Sequence, residues 1–319
     1  MENLMKILTY AIAAGFACTT AFADSYPVTI NDGRAVEVTL EQKPETVAAL
    51  WAAAADLLVA LDTPVLGVTT YEGKMPVYLG EKLNGALDYG DITAPNLELL
   101  STSKPDLTIG LTRYNAPYSD EIEAIGQFLT FDGFSFEQSM ASVSEMGRAL
   151  GRDADVAAMN RDYIALINDY AARAPKEQKE AVFIWSFHDT LYGYRENLTT
   201  ADIIKQAGTS NPLGRAEQLE SADDAFVVLE AEDLLAIDPD VIFMFISHGG
   251  AAKFNAAYER LKAYKAGQIY SVGYQYSQPS GPIAREMILR EVAHLVYPET
   301  FEKPDMPDTA RATQVEFAK

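Results

Sequence analysis

The sequence predicts an α/β protein of two doubly wound lobes with mainly parallel sheets, joined by a single long helix. Three observations predict it. Short apolar runs bounded by turn residues alternate with helical patterns in both halves of the 319-residue chain, the signature of parallel strands covered on both faces. A helical pattern runs without interruption over residues 154–174, between the halves. A short helix, a Pro-Asp turn and an apolar strand occur in that order once in each half.

The elements follow in chain order. Residues 26–30 and 35–39 alternate apolar and polar positions around Asn31-Asp32-Gly33, which predicts a hairpin. Residues 46–50 predict a strand, 52–61 an Ala- and Leu-rich helix and 65–69 the next strand. Residues 96–101 read as a helix, Lys104-Pro105-Asp106 as a turn and 107–111 as a buried strand. In the central helix Val156, Met159, Tyr163, Ile164, Ile167 and Tyr170 recur at helical spacing, and Pro175 stops it. Its 21 residues make a rod of roughly 30 Å. The second half restarts with a strand over 181–186 and a helix over 200–207 closed by Gly208. A helix over 230–236, the turn Asp238-Pro239-Asp240 and a strand over 241–246 repeat the earlier unit. A helix over 256–263, a strand over 268–272 and a closing helix over 281–296 complete the pattern.

The N-terminus reads as an export signal. Lys6 precedes an apolar run from Ile7 to Phe22 that ends in Ala21-Phe22-Ala23, with cleavage expected before Asp24. The run is about 16 residues, short of the roughly 20 that span a bilayer. Cys18, the sole cysteine, lies inside this segment. Bulky Phe16 and Gly15 before it suit a lipid-attachment site poorly, so cleavage is preferred to lipidation. The expected organisation is a signal peptide at 1–23, a first lobe at 24–152, the linking helix at 153–175, a second lobe at 176–300 and a tail at 301–319. The roughly 300 residues of the mature chain exceed what one core usually serves, which favours two domains. A formal net charge of −21 repels phosphate backbones and excludes nucleic acid as a partner.

Residues 44–50 with the following helix, Pro64-Val65-Leu66-Gly67-Val68, the two Pro-Asp units and Ala266-Gly267-Gln268-Ile269-Tyr270-Ser271-Val272 together resemble one family. The chain is similar, over about residues 28–297, to the periplasmic substrate-binding proteins of ABC importers that carry ferric siderophores, haem or cobalamin. The resemblance implies two lobes held by one rigid helix, a ligand cleft between them, a periplasmic location and a monomer without catalytic residues. It implies a ferric siderophore as transported ligand, no permanently bound cofactor, and an ABC permease dimer as partner. Family members present one acidic residue per lobe to that permease. Glu98 and Glu232 stand at the same offset before Pro105 and Pro239 and take that role here.

Independently of the family, ligands of open α/β sheets lie beyond the carboxyl ends of the strands. That rule selects Trp51, Tyr71, Arg113, Tyr114 and the 131–134 stretch in the first half. In the second it selects Phe187-His188, Tyr192, Tyr194, Arg195, Ser247-His248, Tyr274 and Tyr276. Aromatic faces and two guanidinium groups suit a bulky, partly anionic ligand. By resemblance, Tyr274 or Tyr276 sits where some members ligate Fe(III), and Arg215 occupies the loop where others place a histidine ligand. Trp185 and His294 read as structural. The three histidines all fall in the second half, too few for a clustered zinc or manganese site. Haem or cobalamin is the alternative ligand. A secreted hydrolase is a weaker alternative, because no phosphate loop, nucleophile elbow or metal-hydrolase motif occurs.

Overall fold

The computed structural model describes residues 26–219, 222–247 and 256–315. The predicted signal peptide, Cys18 and His248 lie outside the described residues. The elements are β1 (Val28–Asn31), β2 (Glu37–Leu40), β3 (Val47–Ala49), α1 (Ala52–Ala60), β4 (Gly67–Thr70), β5 (Leu87–Asp91) and β6 (Ala94–Pro95). Then come α2 (Leu97–Ser103), β7 (Leu107–Leu111), α3 (Thr112–Asn115), α4 (Ser119–Glu123), β8 (Gln127–Phe131), α5 (Phe136–Ala149) and α6 (Asp153–Arg173). The second half holds β9 (Ala181–Phe187), β10 (Thr190–Tyr194), α7 (Thr199–Gln206), β11 (Phe226–Leu229), α8 (Ala231–Ile237) and β12 (Val241–Ser247). It closes with α9 (Lys262–Lys265), β13 (Ile269–Ser271), α10 (Tyr274–Ser277), α11 (Pro282–Val296) and β14 (Thr313–Gln314).

Two six-stranded sheets form, ordered β6-β5-β4-β3-β7-β8 and β11-β10-β9-β12-β13-β14, beside the β1-β2 hairpin. The strands are apolar on both faces because both faces are covered. In β3, Val47 and Ala49 join one core cluster while Ala48 joins another. In β9, Ala181 and Phe183 face one cluster and Val182 and Ile184 the other. The first sheet is parallel except at β6. The second keeps a parallel centre, β9-β12-β13, flanked by antiparallel strands. The flank begins at the two-residue turn His188-Asp189, where His188 adopts φ 51° and β9 folds straight back as β10.

The Pro-Asp units superpose in their bonding. Helices α2 and α8 both end on a left-handed residue, Lys104 and Asp238. The carboxylate of Asp106 then accepts the Thr46 N–H at 2.8 Å, and that of Asp240 accepts the Glu180 N–H at 2.9 Å. Each turn thereby pins its strand to the parallel neighbour sixty positions earlier in the chain.

The central helix, α6, runs from one lobe to the other. Val156 belongs to the first lobe's core, Tyr163 and Tyr170 to the second's. These are its only buried residues; Ile164, expected on the same stripe, is exposed. The stripe is narrow because the helix lies across the outside of the lobes. Two further segments bridge them. Helix α11 packs on α1 and α7. Residues 301–315, expected as a tail outside the pattern, pack too: Phe301 stacks on Tyr170 at 4.6 Å, Met306 and Ala310 join the first lobe's core, and β14 extends the second sheet. The helix predicted over 256–263 is instead a 3-10 turn, Ala256–Arg260, followed by α9, because buried Leu261 between them is extended. Among the described residues, no helix is long and apolar enough to cross a membrane.

Candidate functional site

A cavity of about 500 Å³ opens between the lobes. The first lobe lines it from strand carboxyl ends: Trp51 after β3, Leu111, Arg113 and Tyr114 at the end of β7, and Asp132 to Phe134 after β8. Gln138, in the first turn of α5, completes that wall. The second lobe contributes Tyr194 from β10 and Phe226 from the edge strand β11, Leu198 to Thr200 at the start of α7, and the loop from Ser277 to Ser280. A larger hollow, about 1150 Å³, lies behind α6 and α11. It touches no strand end, where ligands of open α/β sheets lie, so the smaller cavity is the candidate site.

The floor of the cleft is a hydrogen-bonded seam. Trp51 Nε1 donates to Gln278 Oε1 at 3.0 Å, and Ser139 Oγ to the Ser280 carbonyl at 2.9 Å. Thr199 donates from Oγ1 to the Gly133 carbonyl at 2.9 Å and from its backbone N–H to Phe134 O at 3.0 Å. The close approach requires Gly133, where an added Cβ would fall 2.2 Å from Ser280 Oγ and 2.8 Å from the Trp51 ring. Below the seam, buried Asp56 of α1 accepts the N–H groups of Ile283 and Ala284, both at 2.8 Å, and so caps α11 from the other lobe.

Of the nominated residues, the structure brings Trp51, Arg113, Tyr114, Tyr194 and residues 132–134 of the 131–134 stretch to the cavity wall. Trp51 is buried, with its ring edge in the wall. Arg113 is exposed, lies over the Tyr114 ring at 5.0 Å, and has no carboxylate partner among the described residues. Tyr194 packs edge-on to Phe183 at 4.5 Å and Phe226 at 5.1 Å, and burial pushes its phenol well up.

The others go elsewhere, each for a physical reason. Tyr71 closes the lobes at the end of β4: its ring meets Phe245 at 6.2 Å and Tyr274 at 6.0 Å, and burial raises its hydroxyl to about 12. Residues 274–277 are a helical turn, not an extended segment, so Tyr274 and Tyr276 diverge. Tyr274 stacks on Tyr78 at 6.4 Å. Tyr276 is fully buried in the second lobe, its hydroxyl donating to Glu291 at 2.9 Å. Neither ring lines the cavity, and burial pushes both phenols up, away from the phenolate that Fe(III) ligation uses. The expectation of a tyrosine ligand at these two positions is therefore corrected. Arg195 spends its guanidinium on the Leu213 carbonyl at 2.6 Å, and Arg215 pairs with Asp202 at 3.1 Å. Tyr192 packs on Trp185 at 5.5 Å in the hairpin, while His188 stands exposed at its turn. The strand-end rule thus works for Trp51, Arg113 and Tyr114 in the first lobe and, among the described residues of the second, for Tyr194, whereas the end of β12 is met by Tyr71 of the opposite lobe.

Sequence reasoning missed Gln138, Thr199, Phe226 and the 277–280 loop. The last had a signal: Gln278-Pro279-Ser280-Gly281-Pro282 is a Pro/Gly break before a helix and follows a strand end. Phe226 had none, because an edge strand shows no distinguishing period. Among the described residues, no three His, Cys, Asp or Glu side chains converge to hold a metal ion. Glu98 and Glu232 are exposed, each the second residue of its helix.

Comparisons with known proteins agree with this architecture. The Fe(3+)-citrate-binding protein YfmC of Bacillus subtilis is 24% identical over 201 residues, 60% of this chain and 62% of the relative, so the match spans less than two thirds of that protein. The putative ABC transporter substrate-binding lipoprotein YhfQ of the same organism is 20% identical over 84% of this chain and 87% of its own. Among solved structures, the triscatecholate siderophore binding protein FeuA of Bacillus subtilis, complexed with ferri-bacillibactin, aligns with TM-score 0.70 at 16% identity over 85% of this chain and 98% of its own. SirA of Staphylococcus aureus, complexed with staphyloferrin B, aligns with TM-score 0.67 at 20% identity over 87% and 100%. At these identities what is shared is the fold. The sequence profile of the periplasmic binding protein family matches residues 47–276, more than half of the sequence, and the chain belongs to that family.

Proposed function

We propose that this protein captures a ferric siderophore in the cleft between its lobes and delivers it to the permease of an ABC importer, after export directed by residues 1–23. The observation that carries the reading is the cavity itself. Its volume, about 500 Å³, falls within the range of small-molecule sites. Its wall joins aromatic faces from both lobes to one guanidinium with no carboxylate partner among the described residues. Such a wall packs against a flat chelate and pairs with its oxygens. With no protein metal cluster among the described residues, the iron would arrive already wrapped by its chelator. The names of the relatives point to the same cargo.

Intrinsic fluorescence tests it, because Trp51 forms part of the wall. Titration with ferric hydroxamate, catecholate and carboxylate chelates, haemin and cobalamin should give saturable quenching by a ferric chelate at micromolar concentration or below. Saturation by haemin or cobalamin alone would replace the siderophore with that ligand. A flat response to all of them would sink the transport reading.

A further inference from the structure

We propose that the cleft selects ferric complexes of low net charge, an uncharged or singly charged hydroxamate-type chelate in preference to a trianionic triscatecholate. The inference rests on the transport reading above and narrows its substrate class. The charged side chains on the described cavity wall are Arg113 and Asp132, one of each sign. The two other arginines that the sequence placed beside the ligand are committed, Arg195 to a backbone carbonyl and Arg215 to Asp202. The second lobe's described wall therefore offers rings, hydroxyls and amides but no cation.

A trianion entering this cleft meets one guanidinium and one carboxylate inside a molecule of net charge −21. Each like charge held at short range in a partly desolvated cleft opposes binding, and the long-range field opposes entry. An uncharged chelate meets neither penalty. It is served by neutral donors: Gln138 and Gln278 line the cavity, and each uses its side-chain oxygen internally, accepting from Ser135 N and Trp51 Nε1. Their amide N–H groups make no hydrogen bond among the described residues and match carbonyl and hydroxamate oxygens.

The experiment is equilibrium dialysis of the purified protein against an uncharged ferric trishydroxamate and a trianionic ferric triscatecholate, at low and high salt. The trishydroxamate should bind at least about tenfold more tightly at low salt, with little salt dependence, while the trianion gains affinity as salt screens the repulsion. Asp132→Asn should raise the affinity for the trianion relative to that for the trishydroxamate by about threefold or more. Tighter binding of the trianion, weakening with salt, overturns the charge inference alone. Binding of neither chelate overturns the charge inference, while the fluorescence titration with the carboxylate chelates, haemin and cobalamin decides the transport reading separately.

Discussion

Asp56 shows how one side chain couples the lobes. It is fully buried, and burial raises its carboxyl from 3.8 to about 6, against the opposing pull of the Ile283 and Ala284 N–H groups and of Arg285; the Tyr78 hydroxyl lies beside it. A carboxyl raised on folding holds its proton more tightly in the native state than in the unfolded chain. Its contribution is therefore most favourable below about pH 4 and is lost as pH rises from about 4 to about 6. The rise corresponds to roughly 3 kcal/mol. Asp56→Asn should flatten this part of the stability profile, read by denaturant melts at pH 4, 5, 6 and 7. It should also destabilise by about 1–2 kcal/mol near pH 5, because an amide offers one oxygen where the carboxyl group presents two to the N–H groups. An unchanged slope between pH 4 and 6 would show that Asp56 does not titrate there.

The two Pro-Asp units are the clearest case of a short segment dictating an element. Each ends a helix on a left-handed residue, turns at proline and hands an aspartate carboxylate to the neighbouring parallel strand. Asp106 accepts from Glu45 N, Thr46 N and Thr46 Oγ1 at 2.8–3.0 Å, and the Thr46 N–H holds its carboxyl below the usual range. Asp240 accepts from Glu180 N and pairs with Lys262 at 3.3 Å. Asp106→Ala should cost about 1–3 kcal/mol in a urea melt and Asp240→Ala rather less, with the two losses additive because they sit in different lobes. A double mutant that departs from additivity by more than about 1 kcal/mol would mean that the lobes do not unfold independently at these turns. The elements read wrongly are instructive in the same way. Residues 256–265 break at Leu261 because its side chain is drawn into the core, a demand of packing that no local period records.

At the scale of the molecule, the repeated units place one acidic side chain at an equivalent position in each lobe. Glu98 and Glu232 occupy equivalent exposed sites, one per lobe, and a permease dimer with one basic pocket per subunit would receive both. Glu98→Lys combined with Glu232→Lys should abolish uptake in cells while ligand affinity in vitro stays within about twofold. Loss of affinity instead would place these residues at the cleft and refute docking. The two lobes with mainly parallel strands, the 21-residue crossing helix and the repeated Pro-Asp units were legible in the sequence, since each depends on local period, turn chemistry or internal repetition. In the first lobe Trp51, Arg113 and Tyr114 were legible too, because parallel strands deliver their carboxyl-end residues to one rim. The tertiary structure alone decided the rest. It turned Tyr274 and Tyr276 to opposite cores, gave Arg195 and Arg215 internal partners, brought Phe226 and the 277–280 loop to the wall, and laid residues 301–315 across both lobes. Those outcomes rest on contacts between residues far apart in the chain, such as Trp51 with Gln278, 227 positions away. A local pattern states what a side chain can offer; only the packed chain settles which group takes the offer.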